Sequence, residues 1–199
     1  MTHLLSDLAR QSLAALRLLV VMTVVLGVGY PAAVWAAGQV VADRADGQPV
    51  RLDGHVVGSR LIGQQFDGDQ WFHGRPSPND YDTLASAPSN LGPSNPDLLA
   101  GIEERRSEVA AREGVAPADV PPDALTASGS GLDPDISPAY ARIQVARVAR
   151  ANGLPVAEVA RLVTAHTDGR SLGFLGEPTV DVLGLNLAIA TTVADRGGD

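Results

Sequence analysis

Between Leu18 and Ala42 the chain carries no charged residue, an uninterrupted run of 25 positions. Built as an α-helix, such a run is roughly 37 Å long, more than the roughly 30 Å hydrocarbon core of a bilayer. Leu18, Leu19, Val20, Val21, Met22, Val24, Val25 and Leu26 form its most apolar part, with Arg10 and Arg17 before the run and Asp43 and Arg44 after it. Trp35 suits the far interface, where aromatic side chains collect. The reading is a single transmembrane helix over 18–42, preceded by a short segment, 1–17. The alternative is a signal peptide. Pro31 interrupts the run and Val34 and Ala36 stand at the spacing of a cleavage site, which would release a secreted soluble binding protein. The preceding 17 residues and their acidic Asp7 argue against it. Arg10 and Arg17 favour a cytoplasmic N-terminus and an extracytoplasmic domain, although Arg44 and Arg51 flank the other end.

Beyond the run the chain is polar and acidic. All 15 basic residues are arginine, cysteine is absent, and the formal net charge is −8. Without lysine there is no phosphate-binding P-loop lysine and no Schiff base, and without cysteine no thiolate nucleophile, thiolate zinc site or disulfide. The negative charge disfavours nucleic acid as a partner. With 21 glycines, 14 prolines and only 4% aromatic residues, the expectation is a loop-rich domain with a small core.

The expected class is α+β: the membrane helix, then a mostly helical globular domain with a few short strands. A linker is read over 43–54 and the globular domain over 55–199. Val56, Val57, Leu61 and Ile62, punctuated by Gly58 and Gly63, suggest one or two strands. From Gly74 to Pro96, 14 of 23 residues are Gly, Pro, Ser or Asn, a composition shared with linkers. Asn95 before Pro96 predicts a helix start, and Gly114 its end. Ser137 before Pro138 predicts a second helix, with Ile143, Ala146 and Ala149 on its apolar side and Gly153 beyond it. A third is expected from about Pro155 to His166. The segment Val180 to Val193 fits helix or strand by periodicity, and Asp181 as a cap favours helix.

Three clusters carry candidate chemistry. The run Thr126-Ala127-Ser128-Gly129-Ser130-Gly131-Leu132-Asp133-Pro134 has residues small enough for backbone amides to converge on an anion; equally, it reads as a tight turn bonded to itself. Ser128 or Ser130 with His73, His166 or His55 lacks the Gly-x-Ser-x-Gly elbow, so a hydrolase is not expected. The pairs Asp67/Asp69, Asp80/Asp82 and Asp133/Asp135 do not continue into a calcium loop, so no metal site is assigned. Arg75, set among Trp71, Phe72 and Pro76, suits either an interfacial anchor or a structural ion pair.

Five ordered blocks then carry a resemblance. They are Gly58-Ser59-x-Leu61-Ile62-Gly63-Gln64-x-Phe66; Phe72-x-Gly74-Arg75-Pro76-Ser77; Ser89-Asn90-Leu91-Gly92-Pro93-Ser94-Asn95-Pro96; Thr126 to Pro134 with Ile136-Ser137-Pro138; and Leu172-Gly173-x-Leu175-Gly176-Glu177-Pro178. Behind one apolar span, this order resembles the C subunit of the Kdp potassium-transporting ATPase over nearly the whole chain. The resemblance implies a single-pass accessory subunit in the plasma membrane of a bacterium, without catalytic residues of its own. Its implied partners are a channel-like potassium-translocating subunit, a P-type ATPase subunit and a small hydrophobic subunit. Potassium is the implied transported ion, and ATP enters only in a ternary complex with the catalytic subunit. Two roles are implied: assembly, with Trp71, Phe72, Arg75, Asn90 and Asn95 at subunit interfaces, or a catalytic chaperone for ATP, with Ser128, Gly129, Ser130, Gly131 and Gln144 near nucleotide. The chain departs from the family pattern at Asp135, where histidine or a neutral residue is usual.

Overall fold

The computed structural model describes residues 2–52 and 54–197. Met1, Asp53, Gly198 and Asp199, which fall at the edges of the expected N-terminal segment and globular domain and inside the expected linker, lie outside the described residues. The chain divides into two compact units, 1–48 and 49–199.

The first unit is helical. Helix α1 covers Thr2–Val24, a π-helical turn covers Val25–Gly29, α2 covers Tyr30–Val40, and a single turn, α3, covers Ala42–Ala45. Leu5–Val40 is long and apolar enough to cross a membrane, with a mean hydropathy of 2.2 and none of its most apolar window buried. Pro31 does not break this helix. It has no amide hydrogen to donate, and the turn just before it widens so that the Tyr30 amide reaches back to the Val25 carbonyl. A π turn at a proline lets the helix continue where an α turn would leave a clash and an orphan carbonyl.

The second unit opens with an antiparallel hairpin of β1 (Pro49–Leu52) and β2 (His55–Ser59), with an irregularity between Val50 and Arg51. β1 thus occupies part of the stretch expected as linker, and Leu61 and Ile62 extend no strand. Helix α4 (Pro96–Glu113) starts where its proline and cap predict. Asn95 Oδ1 accepts from the amides of Asp97 at 2.7 Å and Leu98 at 3.4 Å, and Gly114 closes the helix in the left-handed region. After two 3₁₀ turns, β3 (Asp135–Ile136) leads into α5 (Pro138–Ala151), capped by Ser137 Oγ accepting from the Tyr140 amide at 3.0 Å. Then come α6 (Val156–Ala165), β4 (Thr167–Asp168), β5 (Thr179–Asp181) and α7 (Val182–Gly197). Asp181 Oδ1 caps α7 through the Gly184 amide at 3.0 Å, so the ambiguous last segment is a short strand followed by a helix.

The three short strands form one antiparallel sheet in the order β3-β5-β4, with Val180 central between Ile136 and Thr167. The core lies where this sheet meets α4, α5, α6 and α7: Ile136, Tyr140, Ala141, Val148, Val159, Val180, Leu185 and Ile189 are all buried, with Phe72 from the preceding loop among them. On α5 the expected stripe is met at Ala149, in the core, and at Ile143, packed against it, but not at Ala146. Ala146 is exposed, and the buried face also includes Ala141, Gln144, Val145 and Val148. The loops are ordered by close approach: Gly63 donates its amide to the Leu132 carbonyl at 2.8 Å, and a Cβ on Gly63 would run into the Asp133 carbonyl.

Candidate functional site

The segment Asp69 to His73 runs from a turn through a bend into an irregular stretch and belongs to no sheet, so its peptide groups need partners of another kind once buried. Side chains supply them. Arg147 donates Nη1 to the carbonyls of Asp69 (2.7 Å) and Trp71 (2.9 Å), and Asn152 Nδ2 donates to that of Gln70 (2.8 Å). Asn186 on α7 closes a ring with Phe72, accepting from its amide at 2.8 Å and donating to its carbonyl at 2.9 Å. Gln144 on α5 does the same for His73, at 2.8 Å and 3.1 Å. Three carboxamides and a guanidinium therefore act as the strand that this segment lacks.

The guanidinium is itself held. Arg147 Nε donates to both oxygens of Glu113 at 3.1 and 2.9 Å, Arg147 Nη2 donates to Gln144 Oε1 at 2.8 Å, and Arg112 Nε also reaches Glu113 at 3.1 Å. The Arg147 and Glu113 side chains are 1% and 0% exposed, so this pair is taken wholly out of water. Such burial is tolerated only when the charge is paired and hydrogen-bonded, and each of the three Arg147 guanidinium nitrogens has a partner. His73, at the end of the segment, donates Nε2 to the Gly68 carbonyl at 3.0 Å. Burial pushes its imidazole below the ordinary value of 6.5, and the positive charges of Arg147 and Arg112 lower it further.

Arg75 lies just beyond. It donates Nη1 to Asp133 Oδ2 at 2.9 Å and Nη2 to the Thr126 carbonyl at 3.3 Å, while Tyr81 Oη donates to the Arg75 carbonyl at 2.5 Å. Arg75 thus staples the segment to the Thr126–Pro134 run, and its Nε is buried with no partner among the described residues. Burial, with the charge of Asp133 second, pushes the Tyr81 phenol up to about 12.

The Ser-Gly run is a self-bonded turn. Ser128 and Ser130 hydroxyls meet at 3.3 Å, the Leu132 amide donates to Ser130 Oγ at 3.0 Å, and Ser86 Oγ donates to the Ser130 carbonyl at 2.9 Å. Gly131 adopts φ +70°, and a Cβ there would sit 2.5 Å from Asn79 Oδ1. Gly129 is in open space. Gln144 is fully buried with both amide atoms engaged, and Phe72 is fully buried too. Neither side chain presents a surface to another molecule in the folded domain. Trp71 is half-buried, tilted 51° against Phe66 with ring centres 6.2 Å apart. Asn95 is spent on its helix cap, and Asn90 is exposed in the left-handed region at φ +56°. His166 holds the Leu162 carbonyl at 2.9 Å through Nδ1. Among the described residues, no group of three or more His, Asp or Glu could hold a metal ion.

Reading the sequence alone missed Glu113, Arg147 and Asn186. One signal was available: Gln144 and Arg147 share the buried face of α5 with Tyr140, Ala141 and Val148, and polar residues on a buried face require partners.

A cleft of about 310 Å³ opens beside this segment, lined by His73, Arg75, Tyr81, Arg105, Arg112 and Tyr140 and rimmed by carboxylates. Nothing in it assembles a nucleophile with a base.

The chain matches the family model described as KdpC, K+-transporting ATPase, c chain, over residues 12–191. It is 61% identical over 191 residues to the potassium-transporting ATPase KdpC subunit of Kineococcus radiotolerans, covering 95% of this chain and 97% of that one. To the KdpC subunit of Mycobacterium tuberculosis it is 50% identical over 185 residues, covering 90% and 97%. To that of Cereibacter sphaeroides it is 49% identical over 190 residues, covering 95% and 97%. These matches give no support to a secreted binding protein. With a family match over residues 12–191 and a relative 61% identical over 95% of this chain, the chain belongs to the KdpC family, the c chain of the K+-transporting ATPase.

Proposed function

We propose that this chain is the accessory subunit that holds a potassium import complex together, and that its own contribution is contact rather than catalysis. It is anchored by the Leu5–Val40 helix, with its N-terminus in the cytoplasm and its globular domain outside. Its partners are the channel-like, P-type and small hydrophobic subunits. The observation that carries this reading is the pinning of Asp69 to Arg75. Four side chains, three from α5 and α7 and the fourth Asn152 just past the end of α5, and one ion pair fix an irregular segment, and a loop ordered before binding loses little entropy on binding. Trp71 and Arg75 on that segment, and Asn90 on the neighbouring loop, offer the contacts.

Association of full-length Arg75→Ala and Asn90→Ala variants with the rest of the complex is the test. Weakened capture and reduced potassium uptake are expected; normal assembly and uptake in both would remove the loop assignment. The catalytic-chaperone reading places nucleotide at Ser128 to Gly131 and Gln144. The internal bonding of those residues favours it less. Photolabelling by an ATP probe that fell in Ser128→Ala would revive it. A reporter fused after Asp199 that is active on the cytoplasmic side would overturn the external placement.

A further inference from the structure

The cleft beside the pinned segment has a floor and a rim of opposite character. Its lining includes Tyr140, 2% exposed, whose hydroxyl finds no hydrogen-bond partner among the described residues. Next to it in the lining is Arg75, whose Nε is buried and unpartnered. Arg105 completes the floor. Its Nε is committed to the Leu125 carbonyl at 2.7 Å, which fixes the guanidinium and leaves its terminal nitrogens without a partner among the described residues. Asp67, Asp80 and Glu108, all exposed, form the rim.

A guanidinium nitrogen left buried and unmatched costs free energy in the free domain, and the Tyr140 hydroxyl and the Arg105 terminal nitrogens can all donate. The missing group is therefore an acceptor, and beside two guanidiniums it is an anion. The rim decides which anion. Three carboxylates repel a free dianion such as phosphate, but they match a single carboxylate carried on a chain with basic neighbours. At about 310 Å³ the cleft lies at the low end of the usual roughly 300–1,000 Å³ for ligand pockets, space for one or two side chains.

We infer that this cleft receives an acidic side chain, flanked by arginine or lysine, from a loop of another subunit of the complex. The inference rests on the assembly role and names the chemistry of one contact. The carboxylate accepts from Tyr140 Oη and the Arg105 terminal nitrogens, with the Arg75 guanidinium adding its charge, and the flanking cation meets Asp67, Asp80 or Glu108.

The experiment titrates the detergent-solubilised full chain against a complex purified without it, comparing wild type, Tyr140→Phe, Arg105→Gln and the exposed control Arg161→Gln. Loss of a hydrogen bond to a carboxylate predicts affinity about tenfold weaker for each of the first two. Arg161→Gln is expected to bind as wild type, and melting of the isolated Tyr140→Phe chain is expected to be unchanged. Restoration of Arg105→Glu by an acidic-to-arginine change in a partner subunit would identify the loop. Wild-type affinity in both cleft variants overturns the inference; if Asn90→Ala still weakens assembly, the assembly role survives that failure. A Tyr140-dependent rise in melting temperature with inorganic phosphate or ATP also overturns it, because the cleft would then take a free anion.

Discussion

Arg147 Nε lies 2.9 Å from Glu113 Oε2, and solvent reaches neither side chain. The same guanidinium holds the carbonyls of Asp69 and Trp71, so one residue ties α5 to α4 and both to the loop that carries Arg75. Glu113→Ala leaves Arg147 charged and buried without its partner, and the expected cost is about 3–5 kcal/mol, read as a lowered denaturation midpoint of the full chain. Replacing both residues, Arg147→Met with Glu113→Leu, should recover much of that loss, because a well-packed apolar pair avoids the desolvation of two ions. The recovered protein should still assemble poorly, since its loop has lost two carbonyl anchors. Equal recovery of stability and assembly would show that the loop does not depend on the guanidinium.

Gly131 sits at φ +70° with Asn79 Oδ1 2.5 Å from where a Cβ would lie. Asn79 cannot readily give way, because its Nδ2 donates to the Ala85 carbonyl at 2.7 Å and its Oδ1 accepts from Ser77 Oγ at 2.7 Å. Gly131→Ala should therefore destabilise by roughly 1–3 kcal/mol and expose the loop from Asn79 to Ala87. Limited proteolysis of the variant should cut first in that loop, and a cleavage pattern identical to wild type would contradict the expected coupling.

Asp135 is half-buried, and its pKa is raised above 3.8, first by burial, with the charges of Asp181, Asp133 and Asp168 adding to it against a stabilising Thr179 hydrogen bond. A folded value above the unfolded one means that the contribution to stability is full below pH 3.8 and is lost as pH rises through the folded value. At neutral pH the ionised carboxylate is thus a penalty. Asp135→Asn keeps an oxygen for Thr179 and removes the charge, so its melting temperature should exceed wild type at about pH 7. The gain should shrink as the solution is acidified and vanish below pH 3.8. A gain that persists or grows in acid would assign the effect to packing instead of charge.

Much of the helical layout was legible because its punctuation is chemical. Asn95-Pro96, Ser137-Pro138 and Asp181 each place a side-chain acceptor where the first amides of a helix lack partners, and the structure uses all three. The strands were mostly illegible. β3, β4 and β5 run for two or three residues, too few for alternation to show. The polar core was hidden for a different reason. A single arginine on a helix ordinarily signals solvent, and only the geometry that brings Glu113, Gln144 and residues 69–71 around Arg147 makes it an interior residue. The family was read from the order of its glycine- and proline-rich blocks, not from any one side chain, and those blocks include the close approaches at Gly63 and Gly131.

The wide turn from Val25 to Gly29 also has a consequence for neighbours. One extra residue in a turn offsets everything beyond it by about 100° around the axis. Side chains before Val25 and after Tyr30 that would line one edge of a regular helix therefore point in different directions. A straight companion helix can follow the seam of the first half or of the second, but not both. The wide turn converts one rod into two addresses, so a membrane-embedded neighbour that grips residues 5–24 leaves the Pro31 to Val40 side free for a second one.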